Sequence, residues 1–444
     1  METAAAPWYD EYRYPEDIPN KGGKNLLDQY RRFDMKRAPF RQHLRPLIWL
    51  LCAPSLLTHR NRLKKVDMDG VKPPYLLLCN HNAFMDFKVA TRATFPHRVN
   101  YVVAIDGFLK REWLLRWIGC ICKRKFTRDI TLVRQLRQVV ARGDIAAIYP
   151  EARYSLCGTT AVLPASLGKL AKLLGVPVVT LICHGHHVNS PFWNLPDHGL
   201  RGTEAVMTCI LTAEEVREKS HQEINRVIEA AFQYDDYTWQ KENGKRITYR
   251  NRAKGLHKVL YQCPHCGTEY HMSSQGVTLR CDSCGKIWEM TELGELRSTN
   301  GDTEFSHIPD WYEWERENVR REVERGAYHF HCRARVDALP NARGYIDIGM
   351  AELTHDMTGF RLTGSWQGED YELVIDASDL YSCHIEYDYL GRHGDCVDLN
   401  TNRDTFYIYP QDCDFSVTKI ALATEELYAH YWQQHAAAAQ EIST

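Results

Sequence analysis

The 444-residue sequence has no apolar run long enough to span a bilayer. Its best, PLIWLLCAPSLL at 46–57, is far short of the roughly 20 residues a crossing helix needs. The opening METAAAPWYDEYRYPED is acidic and polar, unlike a secretory leader. Fifteen cysteines in a chain of this length fall below the density of a disulfide scaffold. Most of them stand singly in apolar runs, as at Cys52, Cys79 and Cys183, and read as small buried hydrophobes in a reducing, cytoplasmic compartment. Internal repeats are missing, and HAAAAQEIST at 435–444 reads as a frayed tail. The second half is short of cations. Residues 1–258 carry a formal charge of +16 and residues 259–444 one of -18, hidden in a net charge of -2. A basic first half suits phosphates, anionic lipid or nucleic acid.

What is present alternates. From about residue 74 to 231, short apolar strands (YLLLC, VNYVVAI, IAAIYP, VPVVTLIC) take turns with amphipathic stretches, the last a single helix expected over 214–232. That alternation predicts an α/β domain with a largely parallel sheet. Beyond it lie a cysteine cluster, an aromatic and charge-rich helix at 308–326, seven or so short strands and a closing helix. The expected division is an N-terminal segment with a basic and apolar interfacial helix (1–69), an α/β domain (70–257), a metal ribbon (258–290), a linker helix (291–327) and a β-rich domain with its C-terminal helix (328–444). The apolar stretch 46–57 sits between basic flanks and reads either as an interfacial helix or as a core helix.

The sharpest motif is CNHNAFMD, with His81 and Asp86 directly after an apolar strand. On one continuous helix the two side chains would point about 140° apart. They meet only if His81 stands in the turn before a helix and Asp86 in its first turn. Asp86 can then accept a hydrogen bond from His81 Nδ1, which fixes the tautomer and leaves Nε2 free as a base. This is a base and its orienter with no protein nucleophile, so a substrate hydroxyl would take that part. A second motif, YPEARYS, puts Glu151 and Arg153 at the carboxyl end of another strand, where open α/β sheets bind ligands. A third, GCICKRKF, brings Lys123, Arg124 and Lys125 together after Gly119. His184, His186 and His187 invite a metal reading, but no carboxylate lies near them in sequence, and they read as loop or cleft-lining residues.

Taken in order, His-x4-Asp after a strand, a Gly-x-Ile basic segment, a Pro-Glu turn and Val176-Pro177-Val178 resemble the glycerolipid acyltransferases, the family of 1-acyl-glycerol-3-phosphate acyltransferases. The resemblance covers roughly residues 70–235. It departs from the family at Ala152, at Arg153, which stands one position early, and at Lys125. It implies transfer of an acyl chain from acyl-CoA or acyl-carrier protein to the hydroxyl of a lysophosphatidic acid or related lysophospholipid. His81 would be the base and Asp86 its partner, while Lys123, Arg124, Lys125 and Arg153 would hold the acceptor phosphate and Glu151 would line the binding site. It also implies peripheral attachment to the inner face of the cell membrane through an anionic surface. The alternative is a membrane-recruited, non-catalytic scaffold built on the same fold.

CPHC (263–266) and CDSC (281–284) are two Cys-x-x-Cys knuckles, each followed by a glycine. Four thiolates at this spacing predict a structural zinc site, with Cys263, Cys266, Cys281 and Cys284 as ligands. The pattern of the last domain resembles a PH- or GRAM-like barrel closed by a helix. Nucleic acid is disfavoured as a partner, because the ribbon and everything after it are acidic.

Overall fold

The computed structural model describes residues 27–441. The first 26 residues of the expected N-terminal segment lie outside the described residues. A helix, α1 (Arg45–Thr58), leads into a seven-stranded sheet. Its strands are β1 (Arg62–Val66), β2 (Leu76–Cys79), β3 (Val99–Ala104), β4 (Ile121–Lys123), β5 (Ile145–Ile148), β6 (Val178–His184) and β7 (Glu204–Leu211), in the order β1-β7-β6-β2-β5-β3-β4. All neighbours run parallel except β6 and β7. The domain thus begins at Arg62 rather than at residue 70, because β1 pairs with β7 along its whole length.

Leu76, Leu77, Leu78 and Cys79 are all fully buried, since β2 lies mid-sheet with helices on both faces. Leu77 and Cys79 pack with α1 and α2 (Met85–Ala93), while Leu76 and Leu78 pack on the opposite side. That side holds α4 (Ile130–Ala141), α5 (Leu167–Leu174) and α8 (His221–Ala231), and α3 (Glu112–Trp117) follows β3. Burying each leucine contributes about 1.5–3 kcal/mol, which fixes β2 as the sheet's anchor. Beyond β6 come α6 (His186–Asn189), α7 (Ala213–Glu218) and α9 (Asp236–Glu242). The helix expected over 214–232 is therefore two, α7 and α8. Ser220 is the reason: it caps α8 in a reciprocal box with Glu223, which starts a new helix.

A four-stranded antiparallel sheet follows, with β8 (Met272–Gln275), β9 (Thr278–Cys281), β10 (Ile287–Met290) and β11 (Leu296–Ser298). The unit expected over 258–290 therefore extends to Ser298, where β11 pairs with β10. Helix α10 (Ile308–Glu324) buries Trp311 completely, its ring 4.9 Å from Trp288 of β10. The chain ends in seven antiparallel strands and a long helix. The strands are β12 (His329–Ala338), β13 (Ile346–Asp356), β14 (Gly359–Trp366), β15 (Glu369–Asp376), β16 (His384–Glu386), β17 (Cys396–Asn400) and β18 (Thr405–Gln411), followed by α11 (Val417–Glu441). The order β15-β14-β13-β12-β18-β17-β16 leaves β15 and β16 as edges. In place of the expected closed barrel, the hydrogen bonds form an open sheet with α11 against β16 and β17. The helix α11 also carries the chain through most of the tail that reads as frayed in sequence.

The parts are not separate globules. One continuous core runs from Trp193 and Tyr237 through Trp288 and Trp311 to the inner face of the last sheet. Arg316 and Arg320 of α10 pair with Glu425 and Glu426 of α11 and clamp the two helices together.

Candidate active site

The carboxyl ends of β2, β3, β4 and β5 open onto a cleft of about 3030 Å³. The last sheet supplies its far wall, with Tyr345, Tyr381, His384 and Tyr389. His81 lines it from the turn after β2, four residues before the start of α2, and its side chain is 25% exposed. Its ring lies between those of Tyr149 and Tyr154, both 4.3 Å away. Offset ring contacts of this kind are worth about 0.5–1.5 kcal/mol each and hold the imidazole's plane.

Asp86 is fully buried in the first turn of α2. Its Oδ2 accepts hydrogen bonds from the backbone N–H of Asn82 (2.5 Å) and Ala83 (2.8 Å). The buried Nδ1 of His81 lies 3.6 Å from the same oxygen, longer than a hydrogen bond. Separations of this kind tighten when substrate closes a site. With Nδ1 turned inward, Nε2 is the nitrogen on the cleft side. Burial alone would raise the Asp86 carboxyl. The hydrogen bond from His186 and the nearness of both His186 and His81 outweigh it and hold the group well below the usual carboxylate range. Asp86 is therefore an anion throughout the neutral range, as a partner for a developing imidazolium must be.

His186, at the start of α6, sits 2.5 Å from Asp86 Oδ1 through its Nδ1. Sequence reasoning did not join these two residues, which are 100 positions apart. Asp86, Cys183 and His186 bring three ligand atoms within 4.8 Å of one another. The donor set does not suit a metal. Both Asp86 oxygens are engaged, and burial, with the Asp86 charge behind it, pushes the Cys183 thiol well up and keeps its proton.

The two motif turns are bound to each other. Ser155 N–H donates to the His81 carbonyl at 2.8 Å. Asn80 exchanges two hydrogen bonds with the backbone of Cys183, locking the end of β2 to β6. Glu151, expected to line the binding site, is 1% exposed and is not among the residues that line the cleft. It lies behind the site, 3.1 Å from the Tyr234 hydroxyl and 3.3 Å from Ala161 N. That hydroxyl is also 3.1 Å from Asn82 Oδ1. Burial raises Glu151 to about 8, so at neutral pH it holds its proton. It can then donate to Tyr234, whose own proton goes to Asn82. Tyr234 had no signal in the sequence; a tyrosine over 80 residues past its partner is invisible to motif reading.

This chain has a pH signature. The folded-state value of Glu151 lies above that of an exposed glutamate. Its contribution is therefore fully present at acid pH, erodes above the unfolded value of about 4.3 and is gone above about 8. Glu151→Gln, which mimics the protonated acid, should lose less thermal stability than wild type between pH 6 and 9. Equal losses in differential scanning fluorimetry would show that Glu151 is not buried as a neutral acid.

Of the four expected phosphate ligands, Lys123, Lys125 and Arg153 line the cleft and Arg124 does not. Arg124 is 1% exposed and turned away from the cleft, donating to the carbonyls of Leu339 (3.0 Å) and Pro340 (3.2 Å) and to Thr405 Oγ1 (2.7 Å). Arg153 is buried against Glu425 at 2.6 Å. Both act as struts to the last domain, because a buried guanidinium needs partners and that domain supplies them. Lys123 and Lys125 line the cleft beside Arg153. Lys123 Nζ donates to the Thr127 carbonyl at 2.6 Å, and burial lowers it to about 8. Lys125 Nζ is 3.0 Å from Asp106 and 3.3 Å from Asp398; burial opposes its charge, and the two carboxylates outweigh burial and raise it.

Cys263, Cys266, Cys281 and Cys284 put four sulfur atoms within 4.8 Å of one another. Two of the separations are 3.8 Å (Cys263–Cys284) and 3.7 Å (Cys266–Cys281). A tetrahedron of thiolates about 2.3 Å from zinc has edges of about 3.8 Å, so the donor set and its spacing fit that ion. Gly267 and Gly285 share φ +76, and their N–H groups donate to the carbonyls of Cys263 and Cys281. A side chain would resist that left-handed turn.

Residues 57–184 match the model of the family described as Acyltransferase, under a third of the chain. Among solved structures, the chain is similar to the crystal structure of the 1-acyl-sn-glycerophosphate (LPA) acyltransferase PlsC from Thermotoga maritima. The identity is 13%, over 43% of this chain and 78% of that one, with a TM-score of 0.31. None of the curated proteins matches.

Proposed function

We propose that the segment with this family likeness makes the protein an O-acyltransferase, which moves a fatty acyl chain from acyl-CoA or acyl-carrier protein to the hydroxyl of a glycerolipid acceptor. One observation carries the reading: His81 faces a large apolar-walled cleft, with the anionic, fully buried Asp86 directly behind its inner nitrogen. His81 Nε2 takes the acceptor hydroxyl's proton as that oxygen attacks the thioester carbonyl. The tetrahedral intermediate collapses, the C–S bond breaks, and the imidazolium returns the proton to the leaving sulfur. Asp86 stabilises the imidazolium between these steps, and the protein forms no covalent bond to the acyl chain. The scaffold alternative leaves this pairing without a purpose. The test is acceptor-dependent release of free thiol from acyl-CoA. Release at the same rate without any lipid acceptor would contradict transfer.

The cysteine cluster is proposed as a structural zinc site, because four thiolates leave no position open for chemistry. Attachment is proposed to be peripheral. Among the described residues no helix is long and apolar enough to cross a membrane. Helix α1 buries Ile48, Cys52 and Leu56 in the core but leaves Leu50 and Leu51 more than two-thirds exposed. The core and interfacial readings of 46–57 thus describe its two faces. Changing Leu50 and Leu51 together to Ser should reduce sedimentation with anionic vesicles at any salt concentration, since burial of apolar area resists screening. Wild-type binding by the double variant would place the membrane contact elsewhere.

A further inference from the structure

The acidic half of the chain reaches into the basic half at the point where the acceptor's head would lie. Lys125 is enclosed by Asp106 and by Asp398 of β17. His384 of β16 lies 3.2 Å from the same Asp398. Glu386, on the same strand, lines the cleft, as do Asp106 and His384. Arg153, two residues past Glu151, is taken by Glu425, which also accepts from Ser382 Oγ at 2.7 Å. Arg124 is spent on carbonyls at the end of β12. Carboxylates of the acidic part of the sequence thus meet cations of the basic part at the cleft.

The geometry points to an acceptor that carries no negative charge beside its reacting hydroxyl: an uncharged polyol lipid, such as a monoacylglycerol, rather than a phosphate monoester. This rests on the acyltransferase reading above. A phosphate placed against Lys125 would face Asp106, Asp398 and Glu386 at once, and an interior of low dielectric strengthens that repulsion. Binding it would also mean displacing partners from buried cations, which leaves carboxylates unpaired. A polyol meets no such penalty. Carboxylates accept hydrogen bonds from its hydroxyls, and the rings of Tyr154, Tyr381 and Tyr389 offer apolar faces to its carbon chain. Excluding an anion by placed carboxylates is selection by repulsion, which separates two lipids whose acyl chains are identical. The cleft's other cations, Lys110, Arg111, Arg128, Lys169 and Lys172, are exposed, and none belongs to the turns that carry His81 and Glu151; Arg128 pairs with Asp379, and Lys123 donates to the Thr127 carbonyl. Burial raises the Glu386 carboxyl, against the pull of His384 and Lys125.

The test uses the full chain at pH 7 with two acceptors of the same acyl chain, 1-oleoylglycerol and 1-oleoyl-lysophosphatidic acid. Binding is read without donor by isothermal titration, and acylation is read with both acceptors in competition for acyl-CoA. The expected result is at least tenfold tighter binding and at least tenfold higher kcat/KM for the uncharged lipid. The double variant Asp398→Asn and Glu386→Gln should narrow the binding ratio at least threefold. Equal or better binding of lysophosphatidic acid overturns the inference, even if acyl transfer occurs. Tighter binding of 1-oleoylglycerol without any acylation supports the inference and refutes the acyltransferase reading on which it rests. Binding of neither lipid removes the cleft as an acceptor site and overturns the inference.

Discussion

Replacing His81 with alanine lowers acyl transfer by about 10²–10⁴-fold or more, because it removes the cleft-lining base that Asp86 stands behind. The fold should survive. The imidazole is partly exposed, its inner nitrogen has no hydrogen-bond partner among the described residues, and its losses are two ring contacts with Tyr149 and Tyr154. Those amount to about 1–3 kcal/mol together. Asp86→Asn makes an informative contrast. It removes the anion from a carboxylate that accepts from Asn82, Ala83 and His186, all inside the protein. It should lose both activity and stability, since an amide nitrogen facing those donors is an unsatisfied buried group. The pair is read by steady-state kinetics and thermal unfolding. A His81→Ala enzyme within threefold of wild type would remove His81 from the chemistry.

Cys281→Ser should release the bound metal and lower the thermal midpoint by about 4 °C. Elemental analysis of wild type purified under reducing conditions should give one zinc per chain. Cys281 and Cys263 are fully buried in the same core as Trp288, Trp311 and the inner face of the last sheet. Loosening the knuckles therefore loosens the seat of α10, whose Arg316 pairs with the Glu425 that holds Arg153 beside the catalytic turn. Loss of a structural metal belongs with the larger single-site effects, on the order of 4 kcal/mol. In a chain of 444 residues the midpoint moves by about 1 °C per kcal/mol. No bound metal in the wild type, or an unchanged midpoint in the variant, would contradict the structural-zinc proposal.

The local parts of the site were legible in the sequence because they are local. The run YLLLC before His81 marks a strand buried on both faces, and the spacing to Asp86 forces a turn between strand and helix. The knuckles were legible for the same reason, since each pair of thiols spans one turn. Three strands of the first sheet escaped, one of them β4, three residues long and inside the basic segment after Gly119. β1, RLKKV, is a mostly polar edge, and β7 carries polar residues along its half-exposed face where the other sheet strands are apolar. The partners of Asp86, Glu151, Arg124 and Arg153 also escaped. His186, Tyr234, Leu339 and Glu425 lie between 83 and 272 positions away, and chemistry at that range has no spacing rule. The opposite charges of the two halves did carry a signal that they meet. Which cation would be neutralised, and so withdrawn from substrate binding, depends on how the last sheet docks over the cleft.

The most direct measurement follows a labelled acyl chain. Wild-type protein is incubated with isotopically labelled acyl-CoA and a panel of charged and uncharged monoacyl lipids, and both lipid and intact protein are read by mass spectrometry. The account predicts label in a new lipid ester, none attached to the protein, and no ester when His81 is alanine. Label found on the protein, or an unlabelled lipid pool with the donor intact, would contradict it.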